Sequence, residues 1–372
     1  MKSLNFQYLS RLDHLRFFAS ILVVFHHFRG YVADAIPNGF PSNSFISWFT
    51  QLWMLKGSSG VSLFLVLSAF LFTLITHAGE KKIIYHKFIY NRILRIFPLM
   101  VFLVFIVITL DRANSSPLDI LRIFTLQLNT GNSMTGWGHS VFPSGPIWTI
   151  AVEFQFYFLF PILMIFLSRY GTKYLLLLMF FLWFSRLIIV SLNGYDVFYN
   201  LYHSIIGRLD QFLIGIFIAV LYVRDCFKRL SNSMNVVMLF LSIFLLSFYF
   251  VIEDKLHNAI LKSVFSFPIE AILWGGVIVA YLNIKFPFSI FNWLDKMLSY
   301  LGGLSFSIYL FHLPVGYFIS NALNLGEPTS IYQSIVYSLI RLPFIILFSV
   351  ISYHAIEKPF MELRTKYFKN TN

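Results

Sequence analysis

PIWTIAVEFQFYFLFPILMIFLS occupies residues 146–168, and its only charged side chain is Glu153. A transmembrane helix needs about 20 consecutive, mostly apolar residues, so this stretch is long enough to cross a bilayer once. Comparable stretches follow one another along the chain, near residues 12–32, 58–78, 95–111, 146–168, 173–192, 207–224, 234–252, 262–283, 298–319 and 331–354. The sequence therefore predicts an all-α polytopic membrane protein, a bundle of about ten transmembrane helices.

The composition excludes a soluble domain. Hydrophobic residues make up 58% of the 372 residues and charged residues 12%, whereas roughly a quarter of a soluble domain is charged. The formal net charge is +12, but Lys and Arg are scattered between the apolar stretches, so nucleic acid is not expected as a partner. The single cysteine, Cys226, excludes an internal disulfide, and without a Cys cluster or an HExxH motif no metal site is expected.

Basic residues predict the orientation of the helices, because short cytoplasmic loops are enriched in Lys and Arg. With the N-terminus inside, every cytoplasmic connection is basic, whereas the outer connections contain few basic residues, chiefly Lys56, Arg112, Arg122, Lys255 and Lys262. We therefore expect an even number of helices in the cell (inner) membrane, with both termini cytoplasmic. The longest outer connection, 112–145, is expected to contain an interfacial or re-entrant segment.

The domain organisation is expected to be simple. Only a short polar segment follows the last apolar stretch, which predicts one transmembrane domain over residues 1–372 with no appended soluble domain. No internal repeat is evident, and this counts against an inverted-repeat transporter.

The first predicted helix contains two ionisable groups at membrane depth, where such groups are costly and are candidates for function. Arg16 and His27 are eleven positions apart, so both project from nearly one face of a helix, about 16 Å apart. His26 points about 80° away from that face, which makes His27 the candidate. Interface histidines at a helix end would give the same pattern, and this interpretation stays open.

Glu153 lies about two turns into the predicted fourth helix, among apolar residues. A carboxylate in that position needs a partner or a proton. In the predicted orientation Glu153 and His27 lie at similar depth in the outer half of the membrane. They can form a pair in which the acid fixes the imidazole tautomer and raises its basicity. A structural ion pair explains Glu153 equally well.

Two pairs of charged residues begin other helices. Arg92 and Arg95 begin the third helix at the cytoplasmic face, either as ordinary positive charge at that face or as a phosphate clamp. Arg208 and Asp210 begin the sixth helix on the outer side, where a local salt bridge is the simplest interpretation.

The ninth predicted helix has a polar face formed by Ser305, Tyr309, His312 and Gly316, which follow one another at helical spacing. Such a face either makes hydrogen bonds between helices or forms the wall of a cavity. The spacing alone does not separate these two roles.

Seven segments, in order along the chain, resemble motifs of the membrane acyltransferase 3 family. The first matches the family's pattern of Arg, ten residues and His. The matching segments are Arg16-FFASILVVFH-His27, Gly60-VSLFLVL-Ser68-Ala69-Phe70, Arg92-IL-Arg95-IF-Pro98, Trp148-TIAV-Glu153-FQF-Tyr157-FLF-Pro161, Arg208-LDQFLI-Gly215, Gly302-GLSFSIYLF-His312-L-Pro314 and Tyr353-HAI-Glu357-K-Pro359. His14 and Ala69 replace glycines of the family pattern, and both changes are expected to narrow a pocket.

The resemblance implies an integral-membrane O-acyltransferase. Such an enzyme moves an acyl group, most often acetyl, from cytoplasmic acyl-CoA to a hydroxyl of a glycan or lipid-linked glycan outside the membrane. Acyl-CoA is then a donor substrate and not a permanently bound cofactor. The resemblance implies catalytic roles for His27 and Glu153, and donor binding by Arg16, Arg92 and Arg95. The matched motifs also supply candidate cavity residues, namely Ser68, Trp148, Tyr157, Arg208, Asp210, Tyr309 and His312.

The chemistry implied by the resemblance leaves one choice open at His27. The imidazole either removes the proton of the acceptor hydroxyl or carries the acyl group itself, and the first role is favoured.

Two other functions remain as alternatives. One is a transporter of an acylated or anionic metabolite, in which Arg16, Glu153 and His312 form a gated polar path. The other is a structural subunit of a polysaccharide assembly complex.

Overall fold

The computed structural model describes residues 8–30, 45–110, 112–114, 116–118, 121, 125, 147–193, 197–255, 259–286 and 290–368. Its α-helices, in chain order, are α1 Ser10–His27, α2 Phe45–Leu55, α3 Ser59–Ile75, α4 Tyr85–Leu110, α5 Trp148–Tyr170, α6 Thr172–Asn193, α7 Val197–Tyr202, α8 Ile205–Val223, α9 Asn232–Lys255, α10 Ala259–Asn283, α11 Ile290–Gly303, α12 Ser305–Ala322, α13 Ile331–Ser352 and α14 Lys358–Glu362. A π-helical turn, Tyr353–Glu357, joins α13 to α14. Within these residues there is no β-strand, so the all-α prediction is confirmed there.

The helices are long and apolar enough for a multi-pass membrane protein. In the described residues seven stretches could each cross a bilayer, and two bent helix pairs raise the number of candidate spans to nine. The remaining predicted span corresponds to α1, which contains Arg11, Asp13 and Arg16 in its first half. The number of about ten spans and the cytoplasmic termini stay predictions. The expected interfacial or re-entrant segment in 112–145 lies almost wholly outside the described residues.

The prediction of one continuous helix over 298–319 is wrong, because the chain bends at Leu304. The axes of α11 and α12 differ by 66° there. Gly302 and Gly303 precede the bend, and glycine is a poor helix former. Gly302 also lies directly on α1, where an added Cβ would be 2.0 Å from the backbone oxygen of Asp13. A similar bend of 65° separates α2 from α3.

Helix α3 lies at the centre of the bundle and is buried along almost its whole length. It packs against α1, α8 and α10, and it also touches α5. A helix that is apolar all round must be covered on every side. Gly60 permits the close approach of α1, since its Cβ position lies 2.5 Å from the backbone oxygen of Ala19. The side chains of α3 are therefore held in place by the neighbouring helices.

Candidate functional site

A cavity of about 340 Å³ lies between α1, α3, α4, α5, α11 and α12 and extends to the C-terminal residues. Most of the predicted site residues lie around it: Arg16, Ser68, Arg92, Arg95, Glu153, Tyr157 and Tyr309. Among the described residues the lining contains four arginines, of which Arg364 was not predicted, and two carboxylates, Asp13 and Glu153. The lining is therefore cationic and suits an anionic ligand.

Two of the lining arginines are held by carboxylates. Arg16 Nη1 lies 2.9 Å from an oxygen of Asp13, one turn earlier on α1. Arg95 Nη1 lies 2.5 Å from an oxygen of Glu357, whose side chain is 1% exposed. Ser307 also donates a hydrogen bond to Glu357. The family-like segments around Arg95, Ser307 and Glu357 thus meet in one buried polar contact.

Arg92 has a different environment. Its guanidinium carbon lies 4.9 Å from the ring centre of Phe72 and 5.7 Å from that of Tyr157. No ion pair joins Arg92 to a carboxylate in the described residues, and its buried Nε has no hydrogen-bond partner there. A cation over aromatic faces at a cavity wall is well placed to bind an anion.

Glu153 faces the cavity from α5, and Ser68 Oγ on α3 donates a hydrogen bond of 2.5 Å to its Oε1. No hydrogen bond joins Glu153 to His27 in the described residues, so the predicted pair is not formed. The reason is the helix packing. Helix α1 packs on α3, α11 and α12, whereas α5 packs mainly on α4, α6 and α8.

The partner of His27 is His312. Nδ1 of His27 lies 3.1 Å from Nε2 of His312, and the two rings are 4.9 Å apart between their centres. Nδ1 of His312 lies 2.7 Å from the backbone oxygen of Tyr309, and Nδ1 of His27 lies 3.0 Å from that of Val23.

These contacts define the tautomers of both neutral rings. A carbonyl oxygen can only accept, so Nδ1 of His312 donates to Tyr309 and its Nε2 has a lone pair. Nδ1 of His27 faces that lone pair and the Val23 carbonyl, and it must therefore be the donor. The remaining nitrogen of His27, Nε2, has a lone pair and no hydrogen-bond partner in the described residues. This arrangement prepares Nε2 of His27 to accept a proton.

Tyr309 connects the histidine pair with the cavity. Its hydroxyl accepts a hydrogen bond of 2.8 Å from Thr149, and both residues line the cavity. His27 and His312 are not among the lining residues. The polar face predicted on the ninth helix is thus divided, with Ser305 and Tyr309 at the cavity and His312 beyond it.

Trp148, Arg208 and Asp210 were predicted as cavity residues, but they do not line this cavity. Arg208 lies over the ring of Tyr202, with 3.9 Å to its centre, and 5.7 Å from that of Trp148. Asp210 is not paired with Arg208, because it forms a fully buried salt bridge with Arg186. Arg186 was missed, although it is a lone basic residue inside a predicted span and such residues are candidates by default.

His14 and Ala69, which replace glycines of the family pattern, also lie outside the cavity lining. The expected narrowing of a pocket by these side chains is therefore not found in this cavity. His14 Nδ1 lies 2.9 Å from the hydroxyl of Tyr281. Ala69 is buried in the apolar core.

Within the described part of the chain no three His, Cys, Asp or Glu side chains are grouped as metal ligands.

Comparison with known proteins gives one family and several relatives. A family model described as an acyltransferase domain matches residues 9–354. The O-acetyltransferase OatA of Staphylococcus aureus strain NCTC 8325 is 24% identical over 98% of this chain and 58% of its own length. SACOL0978 of S. aureus strain COL, named provisionally as an O-acetyltransferase, is 24% identical over 95% of this chain and 57% of its own.

The chain therefore spans less than two thirds of the length of the relatives it matches. No solved structure matches the chain significantly.

Proposed function

The chain belongs to the acyltransferase 3 family, and from this we propose that it is an integral-membrane O-acyltransferase. In this proposal it moves an acyl group from cytoplasmic acyl-CoA, and the proposed group is acetyl because both relatives are named O-acetyltransferases. The acceptor is a hydroxyl of an extracytoplasmic glycan or lipid-linked glycan.

The cationic cavity is the observation that supports this function best. CoA contains a diphosphate and a further phosphate, and guanidinium groups bind phosphates through charge-assisted hydrogen bonds. Arg16, Arg92, Arg95 and Arg364 surround one space, whose lining has two carboxylates in the part of the chain that the structure describes. The proposed topology, with both termini in the cytoplasm, gives this arginine-lined region access to cytoplasmic acyl-CoA.

His27 is the proposed general base. Its Nε2 accepts the proton of the acceptor hydroxyl while the hydroxyl oxygen attacks the thioester carbonyl. The bond from carbon to sulfur then breaks, and the departing CoA thiolate takes a proton from the imidazolium. His312 has a positioning role, because its lone pair holds the proton of His27 on Nδ1. A covalent acyl-imidazole on His27 is the second form of the same hypothesis.

Glu153 acts on the donor side in this proposal. Its carboxylate lines the cavity, is held by Ser68 and has no hydrogen bond to His27. The pantetheine arm of CoA contains amide N–H groups, and a carboxylate oxygen is a strong acceptor for them. Glu153 and Ser68 would then position the thioester end of the donor.

The test is the consumption of acetyl-CoA by the purified protein in nanodiscs, with release of CoA thiol measured in the presence of glycan acceptors. We expect acceptor-dependent thiol release that His27→Ala abolishes. The matched control is His26→Ala, since His26 bonds the backbone oxygen of Leu55 at 2.9 Å and takes no part in the histidine pair. Transport of an acylated metabolite without thioester cleavage would favour the transporter instead.

The acceptor class requires a second measurement. Mass spectrometry of cell-surface glycans should show O-acetyl groups that disappear when the gene is deleted and return with the wild-type gene. Complementation with His27→Ala should fail to restore them. Unchanged glycan acetylation in the deletion strain would contradict the proposed acceptor.

A further inference from the structure

The last described residues of the chain, 363–368, follow α14 without helical structure, and we call them the C-terminal strap. The family match ends at residue 354, so the strap lies outside the matched region. Two of its residues, Arg364 and Tyr367, line the cavity. We propose that the strap is part of the donor site and that Arg364 binds a phosphate of acyl-CoA together with Arg92. This inference rests on the proposed function.

The strap is attached to the start of α4 by specific contacts. The side chain of Asn91 donates to the backbone oxygen of Thr365 at 2.7 Å and accepts from its backbone nitrogen at 2.9 Å. The backbone nitrogen of Ile84 donates to the backbone oxygen of Tyr367 at 2.7 Å. The ring of Tyr367 is 2% exposed and packs edge-on against Phe88. These contacts determine where Arg364 lies.

The same contacts bring like charges together at the cavity. Arg364 Nε donates to the backbone oxygen of Met361 at 2.8 Å, which holds the guanidinium at the cavity wall. Burial, followed by the charges of Arg92 and Arg95, lowers the pKa of the Arg364 guanidinium to about 10. The positive guanidinium groups of Arg92 and Arg95 therefore repel that of Arg364. A bound phosphate would remove that repulsion and accept hydrogen bonds from more than one guanidinium.

The strap contains a matched control for charge. Lys366 lies two residues after Arg364, is exposed and does not line the cavity. Arg364→Gln and Lys366→Gln therefore remove the same charge from the same segment, at the cavity and away from it. Arg364→Lys is the third variant, because it keeps the charge but loses the planar fork of the guanidinium.

The experiment is isothermal titration of purified full-length protein with CoA. Arg364→Gln should weaken CoA binding about tenfold or more, the size expected when a charge-assisted contact is lost. Arg364→Lys should give an intermediate loss, and Lys366→Gln should leave the affinity within about twofold of wild type. Titration with 3′-dephospho-CoA identifies the phosphate. If wild type and Arg364→Gln bind 3′-dephospho-CoA with equal affinity, Arg364 contacts the 3′-phosphate of CoA. If Arg364→Gln still binds this compound more weakly than wild type, Arg364 contacts the diphosphate.

Attachment of the strap gives a second test. Asn91→Ala should weaken CoA binding, and the double variant with Arg364→Gln should be scarcely weaker than either single one, because releasing the strap already removes Arg364. Equal CoA affinity of Arg364→Gln and wild type would overturn this inference and leave the proposed function intact. A wild-type protein that does not bind CoA at all would overturn both.

Discussion

Arg92 and Arg95 lie one turn apart on α4 and both line the cavity. Their surroundings nevertheless predict that mutation of one affects ligand binding and mutation of the other affects stability. Arg95 is paired with the buried Glu357, whereas Arg92 lies among aromatic rings without a carboxylate partner in the described residues. We therefore predict that Arg92→Gln mainly weakens donor binding. Arg95→Gln should mainly lower the stability of the protein.

The magnitudes follow from the two environments. A lost charge-assisted contact costs roughly 1.5 to 3 kcal/mol, so Arg92→Gln should weaken CoA binding about 10-fold to 150-fold. Removing one partner of a buried ion pair costs roughly 3 to 5 kcal/mol. Arg95 is 22% exposed at the cavity, where water can solvate part of the site. We therefore expect Arg95→Gln to lower the free energy of unfolding by about 3 kcal/mol, the lower end of that range.

Both quantities can be measured on the same detergent-purified samples, CoA affinity by isothermal titration and stability by thermal unfolding. Arg169→Gln is the control, because Arg169 is an exposed arginine outside the cavity lining and should change neither. The loss of affinity in Arg92→Gln should shrink in high salt. If Arg92→Gln binds CoA like the wild type while Arg95→Gln does not, the assignment of roles from the ion pair is wrong.

Two further predictions concern packing and topology. Gly302→Ala should lower stability by about 1 to 3 kcal/mol in thermal unfolding, because its methyl group meets the backbone of α1, whereas Gly303→Ala meets nothing within 4 Å and should be neutral. In a background lacking Cys226, a cysteine at Asn232 should react with membrane-permeant reagents only and one at Glu327 with impermeant reagents as well. The reverse labelling would overturn the orientation and with it the direction of transfer.

Much of the fold followed from local properties of the sequence. Long apolar stretches predicted the helices because each stretch must satisfy its own backbone hydrogen bonds in lipid, wherever its neighbours lie. The bend at Leu304 was missed because it depends on a partner. Gly302 could only be recognised as a contact with Asp13 once α1 was known to pack there.

Most of the predicted site residues line the cavity, but the pairings between them did not follow from the sequence. Helical spacing put Tyr309 and His312 on one polar face, which the structure divides between the cavity and the histidine pair, and only the packing of α1 against α12 brings His312 to His27. Equal depth in the membrane was the argument for pairing His27 with Glu153, and depth does not determine which helices are neighbours. The strap shows the same limit, since Arg364 reaches the cavity through contacts distant in sequence.

The histidine pair leads to the last prediction, on His312. The substitution His312→Phe keeps an aromatic ring but removes the lone pair that faces Nδ1 of His27, so the base is no longer held in one tautomer. We expect His312→Phe to lower kcat about tenfold or more, within the range that a positioned base contributes. The KM for acetyl-CoA should stay unchanged, because His312 does not line the cavity.

Two companion variants separate positioning from a structural role. His312→Gln should recover part of the activity, since an amide oxygen can accept the hydrogen bond from His27. Glu153→Gln should lower activity independently, and the double variant with His312→Phe should show the product of both effects, because Glu153 shares no hydrogen bond with the histidine pair. Strong non-additivity would instead favour Glu153 and His27 acting as one unit. Wild-type kcat in His312→Phe would show that the contact with His312 does not prepare His27 for catalysis.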